Sequence, residues 1–314
     1  MADTTEGDTD VLYLGLLVLA LTALIAGLVI HSFIIGVNVS DWWRGRSVTP
    51  VDHIVTSLGV SRLCSQSAFT IGIFLENIFL QNVYSRLCYF FIDTVSIFFS
   101  YVNVWSTSLL SIVLCLKISN LHTRLFLYLR RMILHRTGYF YIVLLLISAF
   151  SSLMPLVMDV IEEIKIKPLN ETMNNFFKSC NFTSSFYNYL VGGIIPHFFY
   201  FISSVFLFVS LYHHTTRMKM SSNLSINLET YYSVMRFVSC TFVYNTVYFG
   251  VDFVCLFYYC VYCVNLPGIS IVLEFLPVLH SSYMICRTAK LRNRMSKVLQ
   301  NQFLGVPHTG TQSI

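Results

Sequence analysis

The stretch VLYLGLLVLALTALIAGLVIHSFIIGVN, residues 11–38, contains no Asp, Glu, Lys or Arg. A helix needs about 20 apolar residues to cross a hydrocarbon core about 30 Å thick, and this run is long enough to do so. The segment before it, MADTTEGDTD, is acidic and has neither the basic region nor the cleavage site of a secretion signal. The run therefore reads as a retained first span and not as a leader. Working outward, comparable runs recur near 50–75, 87–116, 138–158, 187–211, 232–257 and 269–286. Only helices or closed barrels satisfy every backbone group inside lipid, and these runs lack the alternation of barrel strands. The expected fold is an all-α membrane protein, a seven-transmembrane helix bundle in one domain over 1–314. An outer tail is expected at 1–10, a short interfacial helix at 287–301 and an inner tail at 302–314.

Composition agrees with this reading. Hydrophobic residues make up 55% of the 314 positions and charged residues 11%, where a soluble domain carries charge at about 25%. Of the nine cysteines, Cys64, Cys115, Cys240, Cys255 and Cys286 lie inside apolar runs, where a thiol behaves as a small hydrophobe. Cys260 and Cys263 form a lone C-x-x-C, a weak signal for metal or redox chemistry. His213 and His214 adjoin Arg217 and Lys219, which reads as a basic helix end and not as a metal site. No glycine-rich phosphate loop, HExxH or Ser-His-Asp set is present. The expectation is a protein that is not an enzyme, with no cofactor, metal or nucleic-acid partner.

Basic residues in short loops set the orientation. With the N-terminus outside, the inner segments hold Arg44, Arg46, Lys117, Arg124, Arg130, Arg131, Arg136, Arg217, Lys219, Arg287, Lys290, Arg292, Arg294 and Lys297, fourteen of the 20 basic residues. The outer segments hold Arg86, Lys165, Lys167 and Lys178. The glycosylation sequons at Asn170 and Asn181 then fall in an outer loop, as the lumenal enzyme requires. Sequons at Asn38 and Asn223 fall inside and are set aside.

Four longer stretches carry more than topology. Residues 37–63 read VNVSDWWRGRSVTPVDHIVTSLGVSRL, and residues 105–131 read WSTSLLSIVLCLKISNLHTRLFLYLRR. Residues 196–219 read PHFFYFISSVFLFVSLYHHTTRMK, and residues 277–299 read PVLHSSYMICRTAKLRNRMSKVL. The register of Trp42, Asp52, Ile54, Thr56, Leu58, Val60, Ser61 and Arg62 resembles the second-helix pattern of the bitter (type 2) taste receptors. Trp105, Lys117 and Phe126-Leu127, then Pro196, Ser210, Leu211, His214 and Met218, then Pro277, His280, Ser281 and Lys290 extend the resemblance over nearly the whole chain. It implies a G-protein-coupled receptor fold in the plasma membrane. It also implies a small-molecule agonist and a heterotrimeric G protein of the gustducin/transducin-like inhibitory class, met by Lys117, His214 and Met218. A vomeronasal type 1-like pheromone receptor is the nearest alternative, and a seven-helix transporter or channel a more distant one. The chain departs from the family at His31, where an Asn is usual, and at Val113-Leu114, Ser96 and Ser270. Cys88 and Cys180 occupy places where many receptors carry a disulfide that bitter receptors usually lack, so a bridge and two separate thiols both stand.

An ionisable side chain inside a span costs several kcal/mol unless partnered, which singles out a few residues. Arg62 lies mid-span, and a polar core of His31, Arg62, Tyr248, His280 and Ser281 reads equally as a switch or as a static brace. Asp93, Ser96 and Ser100 share one helical face, Tyr248 and Asp252 another, and Ser270 and Glu274 a third. Converging, these seven residues would line an acidic, aromatic cavity suited to an amine-bearing amphipathic ligand. In the run 290–299, Lys290, Arg294 and Lys297 fall on one side and Leu291, Met295, Val298 and Leu299 on the other, as an interfacial membrane-lipid contact requires.

Overall fold

The computed structural model describes residues 3–79, 83–119, 124–166, 186–187, 189–220, 225–262, 264 and 266–304. These residues form α1 (Asp3–Trp43), α2 (Pro50–Phe79), α3 (Val83–Ile118), α4 (Arg124–His135), α5 (Thr137–Ile166), α6 (Ile195–Met220), α7 (Ser225–Tyr262), α8 (Pro267–Arg287) and α9 (Ala289–Leu304), and among them there is no strand. Seven segments are long and apolar enough to cross a membrane: Leu14–Trp43, Pro50–Leu75, Cys88–Ile118, Thr137–Met154, Leu190–Thr216, Tyr232–Tyr262 and Pro267–Arg287. The expected spans match these to within several residues, because each is delimited by charge or by Pro and Gly.

Three boundaries differ from the sequence reading. Helix α1 begins at Asp3, so most of the expected tail continues the helix. Helix α4 lies in what reads as a connecting segment. It carries no long apolar run, only a one-sided pattern: Ile133 and Leu134 pack on the cluster of Ile54, Leu109, Leu110 and Val113, while Arg124 and Arg131 are exposed. The interfacial helix starts at Ala289, because Thr288 takes an extended backbone (φ −83°, ψ 113°) that ends α8 and turns the chain.

Helix α3 is central, packing on α2, α5 and α6, while α1 packs on α2 and α8 and α7 lies between α6 and α8. The burial pattern is inside-out for a soluble protein. On α5, Ser148, Ser151 and Ser152 are buried, whereas Leu146 is 65% exposed and Phe150 57%. Hydrocarbon tails are as apolar as Leu, so burying Leu gains little there, while small residues at helix contacts let backbones approach. Between α3 and α6 a hydroxyl seam forms: Ser203 Oγ donates to Ser111 Oγ at 2.8 Å, and Ser111 and Ser204 share a bond of 2.9 Å. Apolar packing closes the opposite end of the bundle from the α1 N-terminus, where Ile34, Met284, Ile285 and Leu291 join α1, α8 and α9.

Candidate functional site

A cavity opens between α2, α3, α6 and α7, toward the end of the bundle that carries the start of α1. Its wall on one side is a π turn, Leu190–Ile194, leading into α6; such a turn adds a residue to the helical ring and redirects the chain, often at functional sites. Glycine is required at its centre, since a Cβ on Gly192 would run into the ring of Tyr101. Aromatic groups line the cavity. His197 stacks on Phe249 at 4.2 Å and 6°, Tyr189 stacks on the same ring at 5.5 Å, and the Tyr189 hydroxyl donates to the Phe249 carbonyl at 3.3 Å. Ser100, Asn103, Thr107, Tyr200, Tyr244, Asn245, Tyr248 and Asp252 complete the lining, and Arg62 forms part of the floor. Only about 50 Å³ is open to water, against roughly 300–1,000 Å³ for a site that holds a drug-sized molecule. The walls must move apart to admit one.

Below the cavity the polar core is anchored on Arg62, which is 2% exposed. Its Nε donates to Asn103 Oδ1 at 3.0 Å and its Nη1 to Ser281 Oγ at 2.7 Å and the Pro277 carbonyl at 3.4 Å. Three helices therefore share one guanidinium, whose fixed fork suits several acceptors at once. His280 lies beside it, its ring stacked on Tyr244 at 4.5 Å and 14°, and Tyr244 is 6.3 Å from Tyr248. Aromatic contacts thus lead from the cavity wall to the core. His31 is fully buried, and neither of its ring nitrogens nor those of His280 has a hydrogen-bond partner among the described residues. Gln66 donates to the Glu274 carbonyl at 2.7 Å, tying α2 to α8.

The structure divides the expected ligand residues. Ser100, Tyr248 and Asp252 meet at the cavity. Glu274 is partly buried on α8, outside that lining. Ser96 faces α2, exchanging long contacts with the Ser65 backbone and hydroxyl at 3.5 and 3.4 Å; Ser270 donates to the Leu266 carbonyl at 3.3 Å. Asp93 is exposed on α3 and does not line the cavity. Lys117 is exposed at the end of α3 and His214 is partly buried near the end of α6. Met218 lies in α6 with its side chain outside the described residues, as are Asn170, Asn181, Cys180 and Cys263. Cys88 is exposed near the start of α3.

A second polar cluster occupies the far end. Asp41, its side chain 8% exposed, receives Arg46 at 3.0 Å, Lys290 at 3.3 Å and Arg294 at 2.9 Å. Lys290 also reaches Asp52 at 3.0 Å and Asn38 at 2.9 Å. Thr49 and Asp52 cap α2 reciprocally: the Asp52 carboxylate accepts from Thr49 N and Oγ1, and Thr49 Oγ1 accepts from Asp52 N, which satisfies donors that a helix start leaves open. Helix α9 is thereby latched to the end of α1 and the start of α2. The four carboxylate–cation pairs of Asp41 and Asp52 all belong to this latch.

Sequence reasoning missed Asn103, Thr107, His197 and Tyr244. The first two carried a signal: Ser96, Ser100, Asn103 and Thr107 continue one helical stripe by steps of four, three and four.

A family model described as taste receptor protein (TAS2R) matches residues 9–302. The chain is similar to mouse taste receptor type 2 member 16, 28% identical over 67% of this chain and 70% of that protein. It is also similar to mouse member 105, 24% identical over 87% and 92%, and to human member 16, 28% identical over 69% and 74%.

Proposed function

The chain belongs to the type 2 taste receptor family, the bitter class of G-protein-coupled receptors, and from that premise we propose that it detects amine-bearing amphipathic bitter compounds and activates a gustducin/transducin-like heterotrimeric G protein. With seven membrane-crossing helices it is a multi-pass protein of the plasma membrane, and the relatives it matches are receptors, not enzymes.

The observation that carries the ligand class is Asp252. It lines the cavity among Tyr248, His197 and Phe249, and no described cation pairs with it or with Glu274. A carboxylate beside aromatic rings attracts an ammonium through charge and through the ring faces. The N-terminus faces outside in this reading, supported by the basic loops, which puts the cavity within reach of external compounds and α9 on the inner leaflet. The agonist binds better to an arrangement with the cavity opened, and the population shifts by that difference in affinity. Tyr248 relays the change through Tyr244 and His280 to Arg62, and Lys117, His214 and Met218 face the G protein.

The test is calcium release in cells co-expressing the chain with a gustducin-chimeric G protein and challenged with bitter compounds. Tyr248→Ala should abolish the response at unchanged surface expression; a fully responsive variant would remove Tyr248 from the relay. Responses confined to compounds without an amine would overturn the ligand class.

A further inference from the structure

We propose that Ser47, in the short loop between α1 and α2, is a phosphorylation site whose phosphate is held by basic side chains of α9. The loop turns at Gly45, whose φ of 65° lies in the left-handed region, and residues 46–49 then run without regular structure to the start of α2. Ser47 is exposed, with Arg46 directly before it and Arg44 three residues before it. Arginines at those two positions suit a kinase that grips its substrate through acidic subsites, and an irregular loop can be laid into such a groove without unwinding a helix. The basic loops place this segment on the inner side, where ATP is. The proposal rests on that orientation and not on the ligand class.

The charge around Ser47 is what calls for a phosphate. Ser47 borders a cleft of about 680 Å³ lined by four cations, Arg46, Lys290, Arg294 and Lys297, and by two carboxylates, Asp41 and Asp52, a surplus of two positive charges. Asp41 and Asp52 engage the first three cations, while Lys297 pairs with no carboxylate. A phosphoserine brings a charge of about −1.5 to −2 and three acceptor oxygens, which matches that surplus. Arg46 and Arg294 each give Asp41 one hydrogen bond, and a guanidinium has further N–H donors to offer a phosphate.

The neighbouring hydroxyl, Thr49, is set aside by its bonds. Its Oγ1 donates to Asp52 Oδ2 at 2.8 Å and accepts from Asp52 N at 3.3 Å, so a phosphate there would dismantle the α2 cap. No hydrogen bond holds the Ser47 hydroxyl among the described residues. In the transfer, Ser47 Oγ bonds to the γ-phosphorus of ATP as the bond to the β–γ bridging oxygen breaks. ADP leaves with that electron pair, and the hydroxyl proton passes to the kinase's base. Because the cleft is short of anions, the new phosphate tightens α9 against the loop and does not expel it.

The test uses full-length protein in phosphatidylcholine nanodiscs, which leave both faces open and supply no anionic headgroup to occupy the cleft. With ATP and the catalytic subunit of cyclic-AMP-dependent protein kinase, an arginine-directed enzyme, the chain should gain a phosphate that tandem mass spectrometry places on Ser47. Ser47→Ala should lose it, and Arg44→Ala should slow its addition at least tenfold. Amide hydrogen exchange along α9 should slow at least tenfold once the wild-type protein is phosphorylated, a comparison that depends on no variant folding. Lys297→Gln should keep the phosphate and lose most of that slowing. In intact cells the same phosphopeptide should appear when the kinase is activated. Phosphate confined to other residues, α9 exchange that stays the same or quickens, or modification in nanodiscs but not in activated cells would each overturn the assignment. The agonist response is read separately by calcium release, so neither result stands in for the other.

Discussion

The two ends of the bundle treat acids in opposite ways. At the α9 end, Asp41 is nearly buried yet meets three cations, and Asp52 meets Lys290 and the Thr49 cap. At the other end, Asp252 lies in an aromatic cavity and Glu274 close behind it, and neither takes part in a described ion pair. Desolvating a carboxylate is unfavourable in both places. Where the charge is compensated inside the chain it fixes an element, here the start of α2 and the whole of α9. Where it is left uncompensated beside a cavity, it is available to something that arrives from outside. Position in the sequence does not distinguish the two kinds of acid; their partners do.

The comparison breaks hardest at Arg62, where the regions meet. Arg62→Leu strips donors from Asn103, Ser281 and the Pro277 carbonyl, and each buried acceptor left unmet costs about 1 kcal/mol or more. The expected outcome is a loss of about 3 kcal/mol in stability, read as a sharp fall in surface expression and in Tm. Asp252→Asn should act on the ligand alone, reducing potency for amine-bearing agonists about ten- to a hundredfold, equivalent to about 1.4–2.8 kcal/mol. Dose–response curves for neutral agonists, and the Tm, should not move. Asp41→Asn should show the reverse, with agonist potency retained and stability lowered by about 1 kcal/mol. That figure is small because Arg46, Lys290 and Arg294 are partly exposed and can rehydrate. A spin label on α9 should report the helix loosening.

The spans were legible because hydropathy and helix length answer to one physical quantity, the thickness of the bilayer. Arg62 was legible for the same reason, since a guanidinium in lipid demands partners. Helix α4 was not, because an interfacial helix carries its signal in one-sided pattern and its Leu and Arg residues alternate too quickly to form a run. The Asp41 latch was hidden differently. The acid is plain in the sequence, but Lys290 and Arg294 lie some 250 positions later, and only the return of α9 beneath α1 joins them. In the cavity, the stripe through Ser96 and Ser100 pointed to Asn103 and Thr107, whereas His197 gave no warning: a histidine after Pro196 looks like a helix start until the π turn aims it at Phe249. Asp93 shows the limit of face-sharing arguments, because a residue can share a stripe and still stand beyond the cavity rim.

The hydroxyl seam between α3 and α6 has a mechanical meaning. A serine hydroxyl both donates and accepts and can rotate about its bond, so Ser111, Ser203 and Ser204 can exchange partners as the helices shift, without any of the three losing its hydrogen bond. Interlocked large side chains would resist such a shift until they unpacked. Such a contact suits a bearing, along which α6 could slip against α3, and it lies beneath the narrow cavity, which would have to widen to take the proposed agonist.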